Sequence, residues 1–195
     1  MSANPLPLAC RRSRRHVLGS AVAVVAMAAG GVPGLARAAH VVRSWSAAKP
    51  VPTLDLAGLD GSRWRLEAAA GQVVVLNFWA TWCEPCRTEM PSLQAMAAST
   101  QRDGVVVVAV NYRESADVIR RFLERLPFKV PILLDSDGDV TTAWTPRVFP
   151  STVLVGRDGV PVHTVLGELD WDGAEARALL GPMVAVPRRR TRTVA

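Results

Sequence analysis

The sequence predicts an α/β fold, a central mixed β-sheet flanked by helices. Three observations carry that expectation. Residues 73–79, Val-Val-Val-Leu-Asn-Phe-Trp, form an apolar run long enough for a strand buried on both faces. From 87 to about 101, Met90, Leu93, Met96 and Ala97 recur at helical spacing. A second continuous apolar stretch, 105–110, follows at once. This alternation of strand and helix is that of a layered α/β domain.

The remaining elements are assigned in chain order. Residues 39–49 are expected to be a linker running into Pro50-Val51-Pro52, and 50–182 a single domain. Thr53-Leu54-Asp55-Leu56 and Arg63-Trp64-Arg65-Leu66 alternate around Asp60-Gly61, which predicts a β-hairpin. Ala68-Ala69-Ala70-Gly71 predicts a short helical turn closed by glycine. Ser115 is placed to N-cap a helix over 117–126, with Val118, Ile119, Phe122 and Leu126 as its core stripe. A short strand at 132–134 and a short helix at 140–144 follow. A hairpin joins 152–155 to 160–166 across Arg157-Asp158-Gly159, and a closing helix spans 173–180.

Charge is concentrated at the two ends. The 195-residue chain carries a formal +6. Yet residues 1–38 hold five arginines and no acid, while 50–182 hold 12 Lys/Arg against 17 Asp/Glu, a net of −5. Arg188, Arg189, Arg190 and Arg192 add a basic tail, so 183–195 is expected to be disordered. A high overall pI is therefore no signature of nucleic-acid binding, and no nucleic-acid partner is expected.

The N-terminus reads as an export signal over 1–38. A charged region precedes an apolar run from Val17 to about Gly31, and Ala36-Arg37-Ala38 supplies a small-x-small site with cleavage between Ala38 and Ala39. Ser13-Arg14-Arg15-His16-Val17-Leu18 is similar to a twin-arginine motif. The alternative is an uncleaved inner-membrane anchor. Residues 16–36 are 21 uncharged or weakly charged positions, although Gly30, Gly31, Pro33 and Gly34 weaken such a helix. Either way the domain would work outside the cytoplasm, in the periplasm.

Trp82-Cys83-Glu84-Pro85-Cys86 stands where the central strand hands over to a helix N-terminus. Thiolate is the reactive form of cysteine. Orphan backbone N–H groups and the positive end of the helix dipole favour it at Cys83, the expected nucleophile. Cys86, one turn further in, is the expected resolving thiol. Pro85 fixes a helix-compatible φ where no N–H is needed. Glu84 adds a negative charge beside the nucleophile, which raises the thiol pKa and makes the pair more reducing. A zinc site would need further ligands, but the only other cysteine is Cys10 and the histidines are His16, His40 and His163, so no metal is expected. A purely structural disulfide closing so short a loop would restrain the unfolded chain little.

These residues resemble a known family. Residues 78–87, Phe-Trp-Ala-Thr-Trp-Cys-Glu-Pro-Cys-Arg, with Glu89 and Pro91, are similar to the thioredoxin superfamily, and within it to the TlpA/ResA-like extracytoplasmic thiol–disulfide oxidoreductases. Val108-Ala109-Val110-Asn111 with Glu114-Ser115, the stretch 131–135, and 149–155 before Asp158-Gly159 extend the match over about 50–181. The resemblance implies a thioredoxin fold with an N-terminal β-hairpin and an inserted βα unit. It also implies that Phe149-Pro150 is a cis peptide facing the disulfide, in a backbone that pairs with an extended substrate and keeps metals off the thiols. An ordinary trans proline at a strand start is the alternative. Trp82, Glu84, Pro85, Phe149 and Pro150 are thus expected to face substrate, with Trp82 as an apolar docking rim.

One departure matters. Thioredoxins proper carry a buried aspartate where this chain has Asn77, which cannot accept a proton from Cys86. The subset resembled here has instead an acid on the active-site helix, matched by Glu89. One helical turn sets Glu89 on roughly the face of Cys86. It is either a proton relay with a raised pKa or a solvated first-turn glutamate favoured by the helix dipole. Arg87 either steadies the Cys83 thiolate or is solvated. Trp144, Trp171 and His163 are read as structural.

The expected function is a periplasmic thiol–disulfide oxidoreductase acting as a reductant of protein disulfides, with no cofactor beyond the dithiol. Its partners would be disulfide-containing protein substrates and a membrane thiol carrier that supplies electrons, and the chain is expected to be a monomer. The resemblance implies substrates in cytochrome c maturation or copper-site assembly. Two alternatives are a soft-metal (Cu) module using the same thiols and a disulfide-forming oxidant. The first lacks a methionine or histidine beside Cys83, and the second usually carries a histidine where this chain has Glu84-Pro85.

Overall fold

The computed structural model describes residues 40–187. The expected export signal, its Ala38–Ala39 boundary, and positions 188–195 of the basic tail lie outside the described residues. One eight-stranded mixed sheet runs in the order β1-β8-β7-β4-β5-β6-β2-β3. Its strands are β1 (His40–Ser44), β2 (Asp55–Gly58), β3 (Arg63–Arg65), β4 (Val73–Trp79), β5 (Val105–Tyr112), β6 (Ile132–Asp135), β7 (Ser151–Val155) and β8 (Pro161–Gly167). The helices are α1 (Glu84–Thr100), α2 (Ala116–Leu123), α3 (Asp139–Trp144) and α4 (Ala174–Ala185). A 3₁₀ turn at Leu66–Ala69, followed by Gly71 at φ 82°, is the glycine-closed turn expected there. This is the thioredoxin-type α/β architecture that the sequence predicts.

Strand β4 explains the layering. All seven of its residues are buried. Val73, Val75 and Trp79 point into the core under α1, α2 and α4, whereas Val74, Leu76 and Phe78 point into a second core with Leu54 and Trp144. By the same alternation Asn77 faces α1. Strand β4 pairs in parallel with β5 and antiparallel with β7, placing Trp79 beside Asn111 and Asn77 beside Thr152. The carboxyl ends of β4 and β5 and the start of β7 therefore converge on one region.

Several boundaries shift, with β2 at Asp55–Gly58 instead of 53–56 and α2 ending at Leu123 instead of 126, and two larger differences lie at the ends of the domain. The stretch 39–49, read as a linker, contributes β1, which pairs antiparallel with β8 from His40↔Gly167 to Ser44↔His163. Only Val41 and Val42 are apolar in those five residues, and Val41 is exposed, so the strand has almost no periodic signature of its own. Its partner lies more than a hundred residues away. The closing helix runs on through Gly181 and Pro182 to Ala185, past the expected 180, so the tail begins later than 183. Arg157 makes that end stable. Its guanidinium donates to the carbonyls of Val184 (3.1 Å) and Val186 (2.8 Å), and also to those of Gly71 and Asp103. A cap supplied from a distant turn leaves no local mark in the helix it closes.

Candidate active site

Strand β4 ends at Trp79, and the chain turns through Ala80, Thr81 and Trp82 into α1. Thr81 is held by one carboxylate. Its N–H donates to Glu114 Oε2 at 2.7 Å and its hydroxyl to Glu114 Oε1 at 2.6 Å. Asn111 Nδ2 donates to the same Oε2 at 2.8 Å, which ties the loop to the end of β5. Sequence reasoning does not single out Glu114 as a site residue. It enters the family match only as Glu114-Ser115 beside Asn111, and the loop residue it holds, Thr81, is 33 residues away.

Cys83 is the N-cap of α1, and its Sγ accepts the Cys86 N–H at 3.3 Å. The two cysteines form a disulfide with an S–S distance of 2.03 Å, and both are buried. The pair thus occupies the helix terminus expected for it, where orphan N–H groups and the helix dipole stabilise negative charge on sulfur. Pro85 lies in the first turn. Glu84 and Arg87 pair with each other on the exposed side of that turn, so the Arg87 cation engages this carboxylate. The pairing also offsets part of the field that Glu84 imposes on Cys83.

Glu89 is 3 % exposed, three residues beyond Cys86 on α1. Asn77 Nδ2 donates to its Oε1 at 2.7 Å, while the Leu169 N–H and Trp171 Nε1 each donate to its Oε2 at 3.2 Å. Burial pushes its pKa up to about 7, although those hydrogen bonds pull the other way, and Glu168 adds a further small rise. A solvated first-turn glutamate is therefore not what this chain has. Asn77 also donates to Thr152 Oγ1 at 3.0 Å. Trp171, read as a structural residue of core or edge, is buried and is also a donor to the buried carboxylate.

The Phe149-Pro150 peptide is cis. Pro150 is buried and its carbonyl accepts the Gly167 N–H at 2.8 Å. Phe149 meets Trp82 edge-on at 5.6 Å between ring centroids and Tyr112 at 5.1 Å. Trp82 is 62 % exposed, so an aromatic wall stands open to solvent beside a buried disulfide. Met90 and Met96, the two methionines of α1, lie in the core instead.

The AhpC/TSA family profile matches residues 47–163. ResA of Bacillus subtilis, a thiol–disulfide oxidoreductase, is 34% identical over 126 residues, covering 65% of this chain and 70% of that protein. The chain belongs to the AhpC/TSA family, on its ResA-like side. ResA of Geobacillus kaustophilus is 28% identical over 165 residues, covering 85% and 95% of the two chains. Among solved structures, a Chlorobium tepidum protein assigned as thiol:disulfide interchange protein DsbE superposes with a TM-score of 0.64 at 28% identity. That match covers 69% of this chain and 94% of the other. A secreted Mycobacterium tuberculosis disulfide oxidoreductase homologous to DsbE has a TM-score of 0.54 at 25% identity, covering 68% and 94%. This ResA-like chain is a thiol–disulfide oxidoreductase with a thioredoxin fold, and its substrates contain disulfides.

Proposed function

We propose that this ResA-like oxidoreductase works outside the cytoplasm as a reductant of protein disulfides, of the kind used in cytochrome c maturation or copper-site assembly. The observation that carries the mechanism is the buried Cys83–Cys86 pair at a helix N-terminus, with a buried acid, Glu89, one turn further along the same helix. In the reduced protein the Cys83 thiolate attacks a substrate disulfide. A Cys83–substrate disulfide forms, and one substrate sulfur leaves as thiolate. Cys86 then loses its proton to Glu89 and attacks Cys83 Sγ. The second substrate sulfur departs, and the Cys83–Cys86 disulfide forms. The substrate gains the two electrons that the dithiol loses; its two thiolates take one proton from Glu89, which passes on the proton of Cys86, and one from solvent, which holds the proton that Cys83 gave up on ionising. Glu89 suits the transfer because a carboxyl titrating at about 7 changes protonation readily at neutral pH.

The export pattern over 1–38 and the secreted M. tuberculosis relative support an extracytoplasmic site of action. Among the described residues no helix is long and apolar enough to cross a membrane. In an oxidising compartment the dithiol must be re-reduced by a membrane thiol carrier. The reducing direction rests on Glu84 between the cysteines, which favours the disulfide form of the pair.

Trapping tests the proposal. Cys86→Ser leaves Cys83 free to attack but removes the resolving thiol, so mixed disulfides with extracytoplasmic proteins accumulate. Absence of trapped partners, together with a wild type that does not exchange with dithiols, would sink it. A reduction potential in the range of strong oxidants, near −120 mV where a thioredoxin-like reductant lies at about −270 mV, would reverse the direction.

A further inference from the structure

We propose that Tyr112 and Arg113 extend the docking wall into a cationic subsite, with Arg147 as a second charge, which selects substrates whose disulfide is flanked by an extended acidic segment. The inference rests on the oxidoreductase reading above and names the substrate chemistry of that same site.

The wall does not end at Phe149. Tyr112 packs against it in a tilted arrangement, with ring centroids 5.1 Å apart, and the Arg113 Cζ lies 5.9 Å from the Tyr112 ring centroid. An extended chain advances about 3.3 Å per residue, so those steps place the cation within about three residues of Phe149. Arg113 is held there. Its N–H donates to the Asp135 carbonyl at 3.0 Å, and its backbone is left-handed at φ 57°, a conformation uncommon outside glycine. Its stem lies against Gly138, where an added Cβ would stand 2.8 Å from Arg113 Cδ and 2.5 Å from Tyr112 Cε2. Arg147, two residues before Phe149, is also left-handed, at φ 59°.

Both arginines are exposed, and among the described residues neither forms an ion pair. The nearby acids are otherwise engaged. The Glu114 carboxylate holds Thr81 and Asn111, and that of Asp135 accepts from Thr141. Asp137 accepts the Asp139 N–H, and Asp139 itself, beside Gly138, makes no ion pair with Arg113. Residues 50–182 carry a net charge of −5, so the long-range field repels an acidic segment. A preference for acid would therefore come from Arg113 beside the wall, with Arg147 two residues before Phe149, and not from overall charge.

The test compares two disulfide-bridged peptides that differ only in glutamate or glutamine on either side of their cysteines. The pre-reduced protein is mixed with each, and the second-order rate constants are read at low and high salt. The glutamate peptide is expected to react about two to five times faster at low salt, the range of one or two exposed charge pairs. The advantage should shrink as salt rises. Arg113→Gln should bring the ratio toward one, Arg113→Glu should invert it, and Arg147→Gln should reduce it partly. Taking a ratio cancels any effect of the substitutions on Cys83 itself. A ratio of one in the wild type, or one unmoved by both Arg113 variants, overturns the inference. Hydroxyethyl disulfide, small and neutral, separates the two levels. If every variant reduces it at the wild-type rate, the dithiol and fold are intact and only the acidic preference is in question. If the wild type reduces neither it nor the peptides, the oxidoreductase reading fails as well.

Discussion

Glu89 is the residue on which pH acts most directly. Its carboxyl sits among three donors, with no water-facing surface to speak of, and titrates at about 7 against an ordinary 4.5. The folded state therefore binds a proton more tightly than the unfolded chain between those values. Stability conferred by the neutral acid is fully present below about 4.5 and is lost as pH rises through 7. A wild type that weakens over this window, set against a Glu89→Gln protein that does not, is the expected result of denaturant titrations. The cost is on the order of 3 kcal/mol. The introduced glutamine should be accommodated because the Asn77 amide can turn over and accept from it, while Thr152 donates its hydroxyl to the same oxygen. The exchange rate should fall in that variant and lose its inflection near neutral pH. An unchanged rate and profile would leave Glu89 as a packing residue. Asn77→Asp is expected to be worse than neutral. A second carboxylate would face Glu89 in the same buried space, so stability should drop sharply above pH 7 and little at pH 5, as urea midpoints at the two values would show.

At the level of elements, the loop between β4 and α1 depends on a side chain from the β5–α2 connection. Glu114 satisfies the Thr81 N–H and hydroxyl together, and so fixes the approach to Cys83. Glu114→Ala removes charge-assisted bonds worth about 1.5–3 kcal/mol each net of the exchange with water. The expected outcome is a lower melting temperature and slower exchange, with the Cys83–Cys86 disulfide still able to form. Normal exchange kinetics in a destabilised Glu114→Ala protein would limit Glu114 to a structural role. Gly138 serves α3 in a comparable way. At φ 82° it starts the helix, and its missing Cβ leaves room for Tyr112 and Arg113. Ser115, the N-cap of α2, is legible in the sequence because its cap is local. Glu114, its neighbour, is not, because its partners belong to another element.

Across the molecule as a whole, two long-range ties hold the ends of the domain to its sheet. Arg157, in the β7–β8 turn, binds four carbonyls from three separate segments. Arg157→Ala should cost on the order of 2 kcal/mol and release the last turn of α4. Amide hydrogen exchange should then quicken at 181–185 while β4 and β5 stay protected. Uniform acceleration across the sheet would show that the tie is global instead. The other is β1, which covers the β8 edge. His40 adds a 2.8 Å contact from its Nε2 to Glu175 on α4, so the first described residue is anchored to the last helix.

The layers, the central strand, the helix carrying the dithiol, and Cys83 and Cys86 as its reactive pair are all legible in the chain alone. Each is written in local terms, as a run of apolar residues, a helical period, or two cysteines one turn apart at a helix start. Glu89 stands out as a candidate only through the family resemblance, which implies an acid at that place on the active-site helix. What kind of acid Glu89 is depends on the folded structure. Its burial and its three donors come from β4 and the 169–171 segment, and without them the same residue would be a solvated acid. The Trp82–Phe149–Tyr112 wall, the Glu114 clasp, β1 and the Arg157 tie are likewise contacts between residues distant in the chain. Periodicity and spacing record what a segment does with its neighbours in sequence; which segments meet is settled by packing of the whole fold.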